Sequence, residues 1–202
     1  MANGTSLPSS WPYVFLPILL SHGREIVSAT NARTLISPVI PPHPSLPYDN
    51  WVAGFPLRTF LELGAYRSAA GSARGHVRNV LAEWGLGVFT DAVTLVVSEL
   101  VANSVNATSE ARWEAGLPPV RLWLLGGAGS SGAGEILVLV WDAVREVPEL
   151  GMAGEEDESG RGLGIVHTLS GRQWDAWLPP SPYGGKVTRA VIDRPWRDQP
   201  PE

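Results

Sequence analysis

Between Ser98 and Thr108 the sequence SELVANSVNAT sets one carboxylate, Glu99, and two carboxamides, Asn103 and Asn106, into an otherwise apolar stretch. On an α-helix Asn103 falls about 40° round from Glu99 and about 6 Å further along the axis, with Asn106 about 20° to the other side. All three share one face. A carboxylate in that position can act as a base, and an amide oxygen beside it can ligate a hard cation. The same spacing also fits a solvated polar stripe, although asparagine competes for backbone hydrogen bonds and suits the middle of an exposed helix poorly. Within this stretch alone both readings stand.

Two further features carry chemistry. ILVLVWD ends in Asp142, an acid placed either to meet a ligand at a sheet edge or to cap a turn. Downstream, ESGRGLGIVHTLSG brings Gly160, Gly162 and Gly164 to the expected entry of an apolar helix. Backbone N–H groups at a helix entry can cradle phosphate. This run has neither the spacing and Lys-Ser/Thr ending of a P-loop nor the preceding strand of a dinucleotide fingerprint.

The elements that must hold these residues are legible from periodicity. Ser68 to Trp84 reads as a helix through Ala73, Val77, Val80, Leu81 and Trp84, with Gly85 just past its end. A second helix starts near Thr90-Asp91 and places 92, 93, 96, 97, 100, 101, 104 and 105 on its inward stripe. Phe60–Leu63, VRLWLL, EILVLVWD, RQWDAWL and KVTRAVI read as strands, and LGIVHTLSG as a short helix. The expected fold class is α+β: a two-layer sandwich of a mixed, mostly antiparallel sheet with helices on one face.

Composition narrows the function classes. The 202 residues carry a net charge of −5, a single lysine (Lys186) and no cysteine. Without a basic stripe the chain lacks the footprint of a nucleic-acid binder, and without cysteine it has neither disulfides nor thiolate metal sites. His76 and His167 have no acidic or histidine partner at metal-binding spacing. Trp84, Trp123, Trp141, Trp174 and Trp177 read as core or sheet-face anchors. Residues 1–55 are a Pro-rich extension in which Trp11, Tyr13, Phe15 and Trp51 are possible anchor points; 56–193 form the domain and 194–202 a tail. WPYVFLPILL, interrupted by two prolines and without a basic flank, does not fit a secretory signal or a membrane span, so the expected location is cytoplasmic.

The order of the pieces is the most specific signal. ARGHVRNVLAEWGL, DAVTLVVSELVANSV, ILVLVWDA with Pro148, ESGRGLGIVHTLSGRQW and GGKVTRAVI follow one another across residues 57 to 193. This series resembles the GHKL superfamily of histidine-kinase/Hsp90-type ATPases (the Bergerat fold). Within it the series looks most like the anti-sigma-factor serine/threonine kinases of actinomycetes. The resemblance implies ATP and Mg²⁺ as cofactors and regulation of transcription as the setting. It also implies a sigma factor and a small anti-anti-sigma-type protein as partners, with a homodimer as a common state.

By the same resemblance, Glu99 matches the catalytic glutamate that orients the attacking hydroxyl or water. Asn103 matches the Mg²⁺ ligand, and Asp142 the acceptor of the adenine amino group. Gly160, Arg161, Gly162, Leu163 and Gly164 match the glycine box over the phosphates, with Arg145 to Ser159 as the lid. Lys186 matches the family's Gly-Lys pair before the last strand. Two positions depart from the pattern. Ala107 stands where relatives carry a basic residue, and Val144 where the wider superfamily has glycine, narrowing the room beside the base. Binding and turnover are therefore separable expectations: a Mg-ATP-dependent protein kinase, or a degenerate module that works as a protein-binding switch.

Overall fold

The two longest apolar runs pair with each other. Val120–Gly127 (β2) and Glu135–Asp142 (β3) are antiparallel neighbours and are buried on both faces along almost their whole length. That double burial explains why they read as continuous rather than alternating hydrophobic segments. The computed structural model describes residues 54–129, 134–149, 158–180 and 182–193, with the backbone alone for 158–161. The expectations for residues 1–53 and 194–202, and for most of the acidic stretch before α3, lie outside the described residues.

Around this hairpin the chain adds Leu57–Leu63 (β1), Ala69–Glu83 (α1), Thr90–Glu110 (α2), Glu158–Leu169 (α3), Trp174–Trp177 (β4) and Lys186–Ile192 (β5). The five strands take the order β1-β2-β3-β5-β4, and each neighbouring pair is antiparallel. The helices pack on one face, giving the α+β sandwich of the Bergerat type that the resemblance implies.

The core between the layers is built from matching periodicities. Leu122, Leu124, Ile136, Val138, Val140, Ala190 and Ile192 point from the sheet toward Val77 and Leu81 of α1, Val93, Val96, Val97, Leu100 and Val101 of α2, and Val166 of α3. The opposite sheet face carries a second apolar cluster of Trp123, Leu125, Leu137, Leu139, Trp141, Val187 and Val191, flanked by Phe55, Phe60, Trp113 and Trp177. Trp84 and Trp174 pack against the first cluster, so the five tryptophans serve as anchors. His76 bonds to Thr59 and His167 accepts from the Trp174 indole.

Helix α2 is the axis of the domain. Ala92, Val93, Val96, Val97, Leu100, Val101, Ser104 and Val105 are all buried, matching the inward stripe read from the sequence. By length and composition it could cross a membrane, but as the central helix of the core it is largely buried within the domain.

One element begins earlier than its sequence suggests. The helix was expected over LGIVHTLSG, with Gly160 and Gly162 leading into it; α3 instead starts at Glu158, and Gly160, Gly162 and Gly164 all lie within it. Each interior glycine costs a helix about 1 kcal/mol relative to alanine. At Gly162 the approach of α2 gives the glycine a packing reason, because a Cβ there would push aside the tip of the Glu99 side chain.

Candidate functional site

The site lies where α2, α3 and the ends of β3 and β5 converge. A cavity of roughly 640 Å³ is lined by Leu100, Asn103, Ser104 and Ala107 of α2, Leu163 of α3, Lys186 and Thr188 of β5, and the segment after β3 that includes Val144, Glu146 and Pro148. Its volume falls within the usual range for small-molecule sites, about 300–1,000 Å³.

At one end α3 crosses the polar face of α2. A Cβ on Gly162 would stand 2.6 Å from Glu99 Oε2 and 3.7 Å from Asn103 Nδ2. The glycine therefore lets the two helices approach until the carboxylate and the carboxamide meet the α3 backbone. Glu99 and Asn103 are both half-buried, whereas Asn106 is exposed. Of the three polar residues on that face, two belong to this seam and the third faces solvent. The amides of Gly162 and Gly164 lie beyond the first turn of α3, where helical geometry commits them to the backbone ladder. Any phosphate-facing amides of α3 thus come from its first turn, around Gly160, rather than from a glycine loop.

At the other end the sheet builds a buried charge pair. Register places Lys186 directly opposite Asp142, and Thr188 opposite Val140. Asp142 Oδ1 accepts from Lys186 Nζ at 2.8 Å and from the Val144 amide at 3.0 Å. The chain's one lysine is thereby committed to a carboxylate that is fully buried. Burial raises the Asp142 pKa above the ordinary carboxylate value, opposed by the charge and hydrogen bond of Lys186 and by the nearby Ser104 hydroxyl and Val144 amide. Asp142 Oδ2 is buried and has no hydrogen-bond partner among the described residues. Such an orphaned acceptor is costly unless a ligand or water completes it.

Gly185 makes this register possible. Its φ is +79°, and a Cβ there would collide with the Asp142 carbonyl and the Trp141 indole. On the far face, the Trp141 indole N–H bonds to the Gly184 carbonyl at 3.1 Å and the Arg121 guanidinium lies 5.5 Å from the ring centre. The loop that delivers Lys186 is thus fastened from behind.

No protein-family model matches the sequence. No curated protein matches it either. Among solved structures, a chain of the SiaB–SiaC complex from Pseudomonas aeruginosa is similar at 18% identity and a TM-score of 0.46, over 66% of this chain and 89% of that one. The functional reading therefore rests on the residues of the site.

Of the residues singled out from the sequence, Asn103, Leu163 and Lys186 line the cavity, and Glu99 and Gly162 form the seam beside it. Asp142 lies behind the wall that Ser104, Val144, Lys186 and Thr188 form, so a ligand reaches Oδ2 only by displacing part of that wall. Gly160 and Arg161 belong to the first turn of α3, and Gly164 is half-buried one turn on. Both departures from the family pattern, Ala107 and Val144, line the cavity. Sequence reasoning missed Ser104 and Thr188. Ser104 was hidden as the polar member of an inward stripe, and that mismatch was the signal that could have found it. Thr188 gave no signal, because a threonine in a strand is ordinary.

Proposed function

We propose that the domain is an ATP-binding regulatory module of the GHKL type. The observation that carries this reading is the seam at Gly162, where α3 presses on Glu99 and Asn103 at the rim of a cavity backed by the orphaned Asp142 acceptor. The residues present fit the group. Asp142 Oδ2 suits an exocyclic N–H donor, and the Asn103 amide oxygen suits a hard divalent cation. When bound, Mg²⁺ would supply neutralisation of the phosphate charge.

Glu99, half-buried beside Asn103, is the group positioned to orient an attacking hydroxyl and accept its proton. On this reading the protein transfers the ATP γ-phosphate to a protein serine or threonine, with a small anti-anti-sigma-type protein as acceptor and a sigma factor as binding partner. The reaction class and both partners follow from the family resemblance.

A second reading has an observation of its own. Ala107 lines the cavity where relatives carry a basic residue, and the one cation lining it among the described residues, Lys186, is paired with Asp142. Transfer needs charge stabilisation that develops in the transition state, whereas binding does not. A module that binds ATP and switches a protein contact without turnover satisfies the same geometry.

Calorimetric titration with ATP, with and without Mg²⁺, tests the shared core of both readings. The expected result is Mg-dependent binding that Asn103→Ala abolishes; equal binding with and without the metal removes Asn103 from its role. A transfer assay from γ-labelled ATP to a serine-bearing anti-anti-sigma-type protein separates the two. Binding without label transfer leaves the switch.

A further inference from the structure

The buried pair at the base end does more than neutralise a charge. A carboxyl group presents different faces in its two protonation states: ionised it only accepts hydrogen bonds, and protonated it also donates. Asp142 Oδ1 is saturated by the Lys186 ammonium and the Val144 amide, while Oδ2 is left over. The ammonium is itself tied down, to Oδ1 at 2.8 Å and to the Val144 carbonyl at 3.4 Å.

We propose that Lys186 is a specificity-determining positioning residue, which holds Asp142 as a fixed acceptor so that the cavity selects a 6-amino purine over a 6-oxo purine. This rests on the nucleotide-binding reading above. A ligand that displaces part of the wall over Asp142 completes Oδ2 with an exocyclic amino group, whereas a carbonyl oxygen at the same place sets two acceptors against each other. Lys186 acts through Asp142 and through the register of β5, not through contact with phosphate.

The Ser104 hydroxyl and the Val144 amide act on Asp142 in the same direction, but neither brings a positive charge. From α2 the cavity receives the Ser104 hydroxyl and the Asn103 amide, and from α3 the apolar Leu163. The segment after β3 contributes Glu146 and Glu149, both acidic and exposed. Arg121 lies over the Trp141 ring on the far face of the sheet. Without Lys186 nothing cationic among these lining residues offsets the burial of the carboxylate, and Asp142 takes up a proton more readily. Its hydroxyl then donates to a 6-oxo group as well as it accepts from a 6-amino group.

The test compares ATP with inosine triphosphate, which exchanges only the amino group for a carbonyl, in calorimetric titrations from pH 6 to 9. The unmutated chain is expected to favour ATP by about 10- to 100-fold, as for loss of one hydrogen bond to a charged group, with little pH dependence. Lys186→Met should lower that ratio by at least about tenfold at pH 6 and recover part of it as pH rises and the carboxylate reforms. Lys186→Arg, which keeps a cation, should hold the ratio near its original value. If Lys186→Met does not fold, Lys186→Gln, which removes the charge and keeps one donor beside an intact Asp142, takes its place, with the same fall in ratio at pH 6 expected. A folded Lys186→Met or Lys186→Gln with an unchanged ratio and pH profile overturns the inference. Equal affinity of the unmutated chain for both nucleotides overturns it too, while leaving nucleotide binding intact. If the unmutated chain binds neither nucleotide, both the inference and the functional reading fall.

Discussion

The two ends of the cavity are made by different means. The end proposed to hold the base is sheet-built: Asp142 and Lys186 face each other across paired strands, both are buried, and Gly185 and Trp141 clamp the connection. The seam end is helix-built: Glu99 and Asn103 are half-buried side chains held by the approach of α3 at one glycine. A strand pair fixes its groups through the ladder, so function and stability share the same residues. A helix seam fixes its groups only by packing, so its chemistry can be lost while the fold persists.

The largest expected effect breaks that contrast if it fails. Asp142→Ala strands the Lys186 ammonium, whose side chain is only 6% exposed. Removing one partner of a buried pair costs about 3–5 kcal/mol, to be read by urea denaturation at pH 7. Glu99→Ala, at the seam, should cost less than about 1 kcal/mol by the same measurement. Comparable losses for the two variants would mean that the ends are equally structural.

Next comes Gly162→Ala. The atom in the way is the tip of a flexible side chain, Glu99 Oε2, so the fold can yield by moving the carboxylate. Alanine also favours the helix by about 1 kcal/mol. The expected variant is as stable as its parent or slightly more so. If the protein turns over ATP, transfer should drop about 10²- to 10⁴-fold, the usual contribution of a positioned acid or base. A variant that keeps its transfer rate removes Glu99 from the chemistry.

A smaller effect bears on access at the base end. Val144→Gly opens the wall beside Asp142 and should raise ATP affinity by up to about tenfold, the scale of a methylene or two in a pocket. Weaker or unchanged binding in titration would show that Val144 is no obstacle.

The smallest effect is the pH dependence of the resting protein. The raised Asp142 pKa means that the folded state holds this proton more tightly than the unfolded chain. The resulting stability is present at acid pH and is lost as pH rises through the raised value. ATP affinity should move the opposite way, falling on acidification as the acceptor is protonated. Thermal melts and titrations from pH 4 to 7, compared with Asp142→Asn, should therefore show opposite slopes for stability and affinity. Parallel slopes would place the titrating group elsewhere.

Much of this was legible before any coordinates, for a physical reason. A 3.6-residue repeat fixes which side chains of α2 share a face, so Glu99 and Asn103 could be paired from spacing alone. Asp142 at the end of an apolar run was equally plain. The Lys186–Asp142 bond was not, because it joins residues 44 apart in sequence through a strand register that depends on the whole sheet. The glycines of α3 misled for the opposite reason. Local propensity argues for a loop there, and the approach of α2 gives a reason for Gly162, whereas a Cβ at Gly164 would meet nothing.

Helix α2 also limits how this sequence can change length. It gives one flank to the core, one to the seam and one, through Ser104, to the wall beside Asp142. A single residue inserted between Glu99 and Asn103 would turn everything downstream by about 100°, moving Asn103 off the seam, Ser104 off the cavity and Val105 out of the core together. Insertions and deletions should therefore be rejected within α2, where the helix works as a ruler whose divisions cannot be added to.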